Sequence, residues 1–212
     1  MPMNVQTLTM KEAAAEFLAN TRIAVTGVSR SGTDHGANTV YKRLRECGYE
    51  VFAVNPNAET IGEDPCYPDL HSIPGGVDGV VIGTRPETAE ETMRECAELG
   101  IEHVWMHRGP GAGSVSKTAA QYGREHGITV IEGGCPCMFG PTADPGHKLM
   151  RLVFTLAGNV PKQVRSAQLN ELGAQGWQVV GVTTKKQLFI APPQAIILMR
   201  EVQPAGEARA AA

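Results

Sequence analysis

Short apolar runs alternate with amphipathic helical patterns between residues 22 and 132, and this alternation limits the possible folds more than any other feature. Buried strands are predicted at five apolar runs, 22–27, 50–54, 77–84, 102–106 and 128–132. Helices are predicted at three amphipathic stretches that each end near a glycine, 38–47, 86–100 and 114–126. Because strands that alternate with helices pair in parallel, we predict an α/β fold with a Rossmann-like, doubly wound parallel sheet.

The pattern changes after about Gly158, which suggests a second unit. A helix at 164–172 and strands at 177–182, 187–191 and 195–202 predict a small α+β C-terminal segment. We therefore divide the chain into a Rossmann-like domain (1–158), a small helix-plus-three-strand domain (159–203) and a tail (204–212). A unit of about 45 residues has a marginal core, so we expect it to pack against another subunit, most simply in a homodimer.

Composition and charge exclude several classes of partner. The net charge of −3 gives no general attraction to nucleic acid or to an anionic membrane. No apolar run approaches the ~20 residues of a membrane helix, and the first residues do not resemble a signal peptide. The five cysteines are irregularly spaced, which favours a reducing compartment. We expect a cytoplasmic protein with no nucleic-acid or membrane partner.

The loop after the first strand of the repeat has the spacing of a dinucleotide-binding fingerprint. The sequence Gly27-Val28-Ser29-Arg30-Ser31-Gly32 matches G-x-G-x-x-G, with a serine in place of the middle glycine. Arg30 and the amides at the start of the next helix favour an anion there, although a plain glycine-rich turn fits the sequence equally well. The second strand ends in Asn55-Pro56 instead of the acid that holds the ribose of NAD, which counts against that cofactor.

Several motifs, taken in order, resemble those of a known family. They are IAVTGVS (23–29), VNPN (54–57), VDGVVI (77–82), HVWMHRG (103–109) and GCP (134–136). From about Arg22 to Gly140 the chain resembles the small CoA-binding domains related to the N-terminal domain of the succinyl-CoA synthetase alpha subunit. The resemblance implies coenzyme A as the cofactor.

The resemblance also implies which loops contact the ligand. The implied contacts are Gly27, Val28, Ser29, Arg30, Ser31, Asn55, Pro56, Thr84, Arg85, His107, Arg108 and Gly109, with Cys135 beside the cleft. His107 stands where the family usually has glutamine. The synthetase acts through a phosphorylated histidine in a second domain that we do not find here, so its activity is not implied.

The C-terminal segment carries a separate resemblance. Residues 169–177 (LNELGAQGW) resemble a small uncharacterised domain family with the motif L-N-E-L-G-x-x-G-W. That resemblance implies no chemistry.

The sequence Cys135-Pro136-Cys137 is open to four interpretations: a redox pair, a metal site, a loop that covers the ligand, or a tight turn of small buried residues. Paired metal sites usually have two cysteine clusters, and here there is one C-x-C. His147 offers a third ligand, but the spacing does not favour metal and we predict none. Because Gly133-Gly134 allows a sharp turn over the cleft, we expect Cys135 to be the thiol nearer the ligand.

No Ser-His-Asp, Cys-His or carboxylate-pair motif is recognisable, so we predict no catalytic residues and leave enzymatic activity open. The favoured interpretation is a non-catalytic or regulatory protein that binds CoA or an acyl-CoA. The alternatives are a nucleotide-cofactor-dependent enzyme, either an NAD(P) oxidoreductase or a CoA transferase or ligase, and a structural protein that has lost its ligand.

Overall fold

A computed structural model of the chain describes residues 7–30, 36–109, 113–165, 177–183 and 195–200. In chain order the elements are β1 (Thr7–Thr9), α1 (Met10–Phe17), β2 (Arg22–Thr26), α2 (Gly36–Glu46), β3 (Glu50–Val54), β4 (Thr60–Ile61), β5 (Asp64–Tyr67), β6 (Gly79–Ile82), α3 (Ala89–Glu98), β7 (His103–Met106), α4 (Lys117–Glu125), β8 (Thr129–Glu132), α5 (Pro145–Leu156), β9 (Gln163–Arg165), β10 (Trp177–Thr183) and β11 (Ala195–Arg200). Two short 3-10 turns, Pro136–Met138 and Gly140–Thr142, connect β8 to α5.

The central sheet confirms the predicted α/β fold. Its seven strands have the order β4-β5-β3-β2-β6-β7-β8, and all neighbours are parallel except the short antiparallel pair β4–β5. The chain proceeds outward from β2 to β3 and then returns to place β6 on the other side of β2. Doubly wound sheets bind ligands at such a reversal, outside the carboxyl ends of the strands.

Side chains alternate between two apolar layers because successive residues of a strand point to opposite faces. In β2, Ile23 and Val25 pack in the layer that includes α1 and α2, while Ala24 packs in the layer that includes α3 and α4. Trp105 of β7 is fully buried in the first layer, where its ring meets Phe17 edge-on at 5.4 Å. Both faces of the sheet are therefore covered, as a parallel sheet requires.

The prediction of a helix at 164–172 is wrong for its first residues. Gln163–Arg165 forms β9, which pairs antiparallel with β1, and Val164 is buried in the same layer as Leu8. The cross-strand partner lies at the other end of the sequence, so a local pattern could not reveal it. Residues 166–176, including most of the L-N-E-L-G-x-x-G-W motif, lie outside the described residues, and the boundary at 158 stays a prediction.

Two of the three strands predicted near the C-terminus are confirmed. β10 and β11 pair with each other in an antiparallel ribbon, with a register irregularity between Val179 and Gly181. The third predicted strand, 187–191, lies outside the described residues. Among the helices that the structure describes, none has the length and apolarity needed to cross a membrane.

Candidate ligand-binding site

A cavity of about 380 Å³ opens at the carboxyl edge of the sheet, beside the reversal between β2 and β6. Loops after β6, β7 and β8 form one side, the first turns of α2 another, and α5 a wall. The described residues that line it are Gly36, Ala37, Thr39, Gly83, Thr84, Arg85, His107, Gly109, Gly113, Ser114, Cys135, Met138, His147, Met150 and Phe154. Among these described residues are one arginine, Arg85, and two histidines, His107 and His147, and none of them carries a carboxylate.

The loops after β2 and β6 touch each other through glycines. Gly27 has φ +77°, and a Cβ added there would lie 2.8 Å from the backbone carbon and oxygen of Gly83. A Cβ on Gly83 would in turn lie 2.6 Å from both the Thr26 oxygen and the Ala37 Cβ. The first glycine of the predicted fingerprint is thus required by both backbone conformation and close approach.

Two amide side chains hold the loop after β2 in shape. The Ser29 N–H donates to Oδ1 of Asn38 at 2.8 Å, and Nδ2 of Asn38 donates back to the Ser29 oxygen at 2.8 Å. Nδ2 of Asn55 donates to the Val28 oxygen at 2.8 Å, and Oδ1 of Asn55 accepts from the Asn57 N–H at 2.9 Å. Asn55, predicted as a ligand contact, therefore uses its amide to join two loops. Asn38 escaped sequence analysis because no local signal separates it from other polar helix residues.

Arg30 lies outside the main cavity. It lines a neighbouring cavity of about 810 Å³ together with Val28 and Ser29. It also lines a third cavity, of about 590 Å³, together with Pro56. Its guanidinium donates to the Asn57 oxygen at 3.2 Å. The guanidinium is therefore placed on the surface that joins the loops after β2 and β3.

Thr84 and Arg85 follow β6 and line the main cavity. The Thr84 hydroxyl oxygen is buried, and among the described residues no group hydrogen-bonds to it. A buried hydroxyl without a partner costs about 1–3 kcal/mol, so this position is suited to bond a polar ligand group. The exposed Arg85 next to it supplies a positive charge at the rim.

His107 and Cys135 meet at the floor of the cavity. His107 is 9% exposed and packs so closely on α2 that a Cβ at Gly36 would lie 2.5 Å from its ring. The Cys137 thiol donates a hydrogen bond to Cys135, and His107 donates another. Together these lower the pKa of the Cys135 thiol well below its usual value, although burial opposes the shift. The same bond to Cys135, together with burial, raises the pKa of Cys137. The cavity floor therefore favours a thiolate on Cys135.

Cys135, Cys137 and His147 are brought together, although ten positions separate the second cysteine from the histidine. The two sulfurs and a ring nitrogen of His147 all lie within 4.8 Å of one another. Asp144 is the N-cap of α5: Oδ1 accepts from the His147 N–H at 2.8 Å, and Oδ2 contacts Nδ1 of the ring at 2.6 Å.

The predicted site residues divide into three groups. Those that line the main cavity are Thr84, Arg85, His107, Gly109 and Cys135. Those that line the neighbouring cavities are Val28, Ser29, Arg30 and Pro56. Those whose described bonds hold the loops together are Gly27, Asn55 and Arg108. Ser31 lies outside the described residues.

Sequence analysis missed the wall supplied by α5. Met150 and Phe154 give the cavity an apolar side, and His147 adds a polar group near its floor. Their spacing of three and four places them on one face of the helix, a signal that was present in the sequence. Without knowledge that α5 returns over the sheet, that face could not be assigned to the site.

Comparison with known proteins identifies the domain. The profile of the CoA binding domain family matches residues 21–141, more than half of the chain. This chain belongs to that family. The chain is 31% identical over 117 residues to the ADP-forming acetate–CoA ligase II of Archaeoglobus fulgidus, a match that covers 51% of this chain and 17% of that protein.

Two small proteins are also similar to this chain. The uncharacterized protein YneT of Bacillus subtilis is 31% identical over 114 residues, which cover 54% of this chain and 81% of that protein. A hypothetical protein from Pyrococcus horikoshii OT3 has a TM-score of 0.55 and 28% identity, over 61% of this chain and 87% of that one. The chain thus spans most of these two small proteins but less than a fifth of the acetate–CoA ligase II.

Proposed function

We propose that this protein binds coenzyme A or an acyl-CoA as a non-catalytic or regulatory ligand, with the thiol end in the main cavity. The observation that carries the proposal is the buried hydroxyl of Thr84, which has no hydrogen-bond partner among the described residues. It lies in a cavity that Arg85, His107 and Cys135 also line. This cavity lies at the reversal of the sheet in a member of the CoA binding domain family.

The shape and polarity of the site suit a long ligand with an anionic head and a thiol tail. A cavity of about 380 Å³ is within the usual range for small-molecule sites, and it suits the thiol-bearing arm better than the whole cofactor. Met150 and Phe154 offer apolar surface to that arm. The neighbouring cavities beside Arg30 leave room for the phosphates. A guanidinium there would form charge-assisted bonds to them.

The geometry also disfavours NAD. At the end of β3, the side chain of Asn55 is bonded to the Val28 oxygen and to the Asn57 N–H. A ribose-binding acid would have to stand at this position in a dinucleotide site. The amide instead holds the two loops together.

Calorimetry with CoA, NAD and NADP tests the proposal directly. We expect CoA to bind more tightly than either dinucleotide to the 212-residue chain. Tighter binding of NAD than of CoA would overturn the assignment. Mass spectrometry under native conditions on the purified protein would show any ligand it retains.

We propose that Cys135 is the cysteine nearest the ligand's thiol. Cys135 lines the cavity, whereas Cys137 is fully buried and is not among the described lining residues. Treatment with CoA disulfide should therefore give a mixed disulfide that peptide mapping places on Cys135 and that disappears in Cys135→Ser. An adduct on Cys47, Cys66 or Cys96 instead would contradict this placement.

We propose further that the protein is a homodimer formed near its C-terminal segment. Leu149, Leu152, Val153 and Leu156 form an exposed stripe at helical spacing on α5, each at least 54% exposed. A second copy of the chain is the simplest partner for such a stripe, since a two-fold interface buries the same surface on both subunits.

Light scattering tests the dimer. The 212-residue chain should be dimeric, and Leu152→Glu combined with Leu156→Glu should make it monomeric. A chain that stops after Arg165 keeps the β1–β9 pair and shows whether later residues are needed. If the unmodified chain is a monomer at working concentration, the dimer proposal fails.

We also propose that the protein is cytoplasmic. All five cysteines are free thiols, as a reducing compartment maintains. Fluorescence microscopy of a tagged chain checks the location. Ligase activity is not carried over from the acetate–CoA ligase, because the match covers 17% of that protein.

A further inference from the structure

Cys135, Cys137 and His147 have the geometry of a metal-ligand set. Their ligand atoms lie within 4.8 Å of one another. A tetrahedral zinc site, with Zn–S bonds of about 2.3 Å and Zn–N bonds of about 2.0 Å, places ligand atoms roughly 3.4–3.8 Å apart. Contraction by about 1 Å, within reach of small side-chain rotations, would close the three ligands around one ion.

The donor types select the ion. Two thiolate sulfurs and one imidazole nitrogen suit a soft or borderline divalent cation such as zinc and are poor ligands for magnesium or calcium. With both cysteines bound as thiolates and the histidine neutral, the divalent ion and its three ligands together carry no net charge. A neutral complex is suited to this location, since Cys135 is 5% exposed and Cys137 is fully buried.

Asp144 orients the histidine as metal-binding histidines are commonly oriented. Its Oδ2 lies 2.6 Å from Nδ1 of His147, so Nδ1–H donates to the carboxylate and Nε2 keeps the lone pair. The other oxygen of Asp144 caps α5 through the His147 N–H. One carboxylate thus fixes both the backbone and the ring of the third ligand.

The segment that carries the cysteines is held in place from several sides. The Thr142 hydroxyl lies 2.7 Å from the oxygens of both Pro136 and Phe139. Nε of Arg43 donates to the Thr142 oxygen at 2.9 Å. These contacts fix the turn that presents the thiols, and a fixed turn lowers the entropy lost when an ion binds.

We propose that Cys135, Cys137 and His147 bind one zinc ion, with its fourth coordination position open to the main cavity. Cys135 and His147 line that cavity, so the open position faces it. In a chain that binds CoA as proposed above, this position would meet the ligand's thiol, but the metal site does not depend on CoA binding. The prediction from spacing alone was that no metal binds.

Metal titration of reduced, chelator-treated protein tests the site without CoA. We expect one zinc per chain in competition with a chromophoric chelator. Cobalt(II) should show thiolate-to-cobalt charge transfer in the near ultraviolet together with intense visible bands of a tetrahedral ion. A small thiol, which needs no CoA recognition, should change these bands by occupying the fourth position.

Variants locate the ligands. Cys137→Ser and His147→Ala should each weaken zinc binding by more than a hundredfold, and Asp144→Asn, which keeps the helix cap, by roughly ten- to a hundredfold. Cys47→Ser is the matched control. Its sulfur lies 3.8 Å from the Pro141 oxygen, near the same turn but outside the ligand set, and it should bind zinc as the parent does.

Three results would overturn the proposal: no cobalt–thiolate charge transfer, zinc affinity unchanged in Cys137→Ser, or spectra that a small thiol does not alter. Far-UV circular dichroism of each variant separates loss of ligands from loss of fold. Calorimetry with CoA on the chelated protein is a separate measurement, so a failure of CoA binding and a failure of metal binding can be told apart.

Discussion

In the loop after β2, the amides of Asn38 and Asn55 bond to the loop's own backbone. In the loop after β6, by contrast, the Thr84 hydroxyl is buried with no partner among the described residues. The protein's own amides therefore hold the backbone of Val28 and Ser29 in the first loop, whereas the second loop keeps bonding capacity at Thr84. The comparison suggests that the β2 side supplies geometry and a cation, and that selectivity resides in the loops after β6, β7 and β8.

The largest effect is expected at Gly27, where the loop after β2 touches the loop after β6. Gly27→Ala places a Cβ at φ +77° and 2.8 Å from the Gly83 backbone. The left-handed conformation costs about 1–2 kcal/mol and the overpacking about 1–3 kcal/mol. Urea denaturation should show the sum as a lower free energy of unfolding.

Gly127→Ala is the control for that experiment. Gly127 has φ +81° but no atom within 4 Å of an added Cβ, so only the conformational cost applies. Equal destabilisation in the two variants would mean that the loops after β2 and β6 are not in close contact at Gly27.

A smaller effect is expected at Arg30, the cationic residue in the loop after β2. Arg30→Ala should leave the unfolding transition nearly unchanged, because the side chain's described bond to Asn57 is exposed. It should weaken CoA binding by about 1.5–3 kcal/mol, roughly ten- to a hundredfold, if Arg30 reaches a phosphate. Calorimetry measures this, with Arg94→Ala on α3 as control. Unchanged affinity would remove Arg30 from the site.

A smaller change is expected at Thr84, in the loop after β6. There the effect on CoA affinity should differ from the effect on the free energy of unfolding. Thr84→Val keeps the shape of the side chain and removes the hydroxyl. CoA affinity should fall by about 0.5–1.5 kcal/mol, roughly two- to tenfold. The unfolding free energy of the ligand-free protein should stay constant or rise, because the lost oxygen had no partner among the described residues. Lower stability with unchanged affinity would show that the hydroxyl serves the fold.

The smallest effect concerns the thiol at the cavity floor. The bonds from Cys137 and His107 lower the pKa of Cys135, so its thiolate forms at a lower pH than that of an ordinary cysteine. In metal-free protein, the rate of exchange with CoA disulfide should therefore level off at a lower pH than it does for an ordinary thiol. Cys137→Ala removes one donor and raises that pKa, so its rate should still be rising with pH where the rate of the parent protein has levelled off. Identical profiles in stopped-flow assays would contradict the role of Cys137, with Cys47→Ser as control.

The fold of this protein is more predictable from its sequence than the site is. Each parallel strand of the sheet except the short β5 has its own apolar run. These runs, together with the amphipathic patterns and the glycines that end the helices, were sufficient to predict the α/β fold. The β4–β5 pair and β9 were missed because their strands have two to four residues and pair by tertiary contact. β9 carries one buried position, Val164, between two exposed ones, a pattern too short to separate strand from helix.

Within the site, sequence patterns located loops but not the bonds between them. The fingerprint spacing pointed to Gly27, and the family resemblance pointed to Thr84, His107 and Cys135. Neither could show that the amide of Asn55 is bonded to the loop after β2, because that depends on distances between chain segments. Likewise, His147 could be named from the sequence as a possible third ligand, but spacing alone could not show that α5 brings it within 4.8 Å of both cysteine sulfurs.

The β1–β9 pair has a consequence for how the chain is made. β1 is near the start of the sequence, and its partner follows the entire central sheet. At usual translation rates, the first strand therefore remains without its partner for on the order of ten seconds while the rest is synthesised. During that interval its backbone donors and acceptors and the apolar side chain of Leu8 are open to other chains or to chaperones. The pairing of β1 with β9 is thus a late event, which has to wait until Gln163–Arg165 leaves the ribosome.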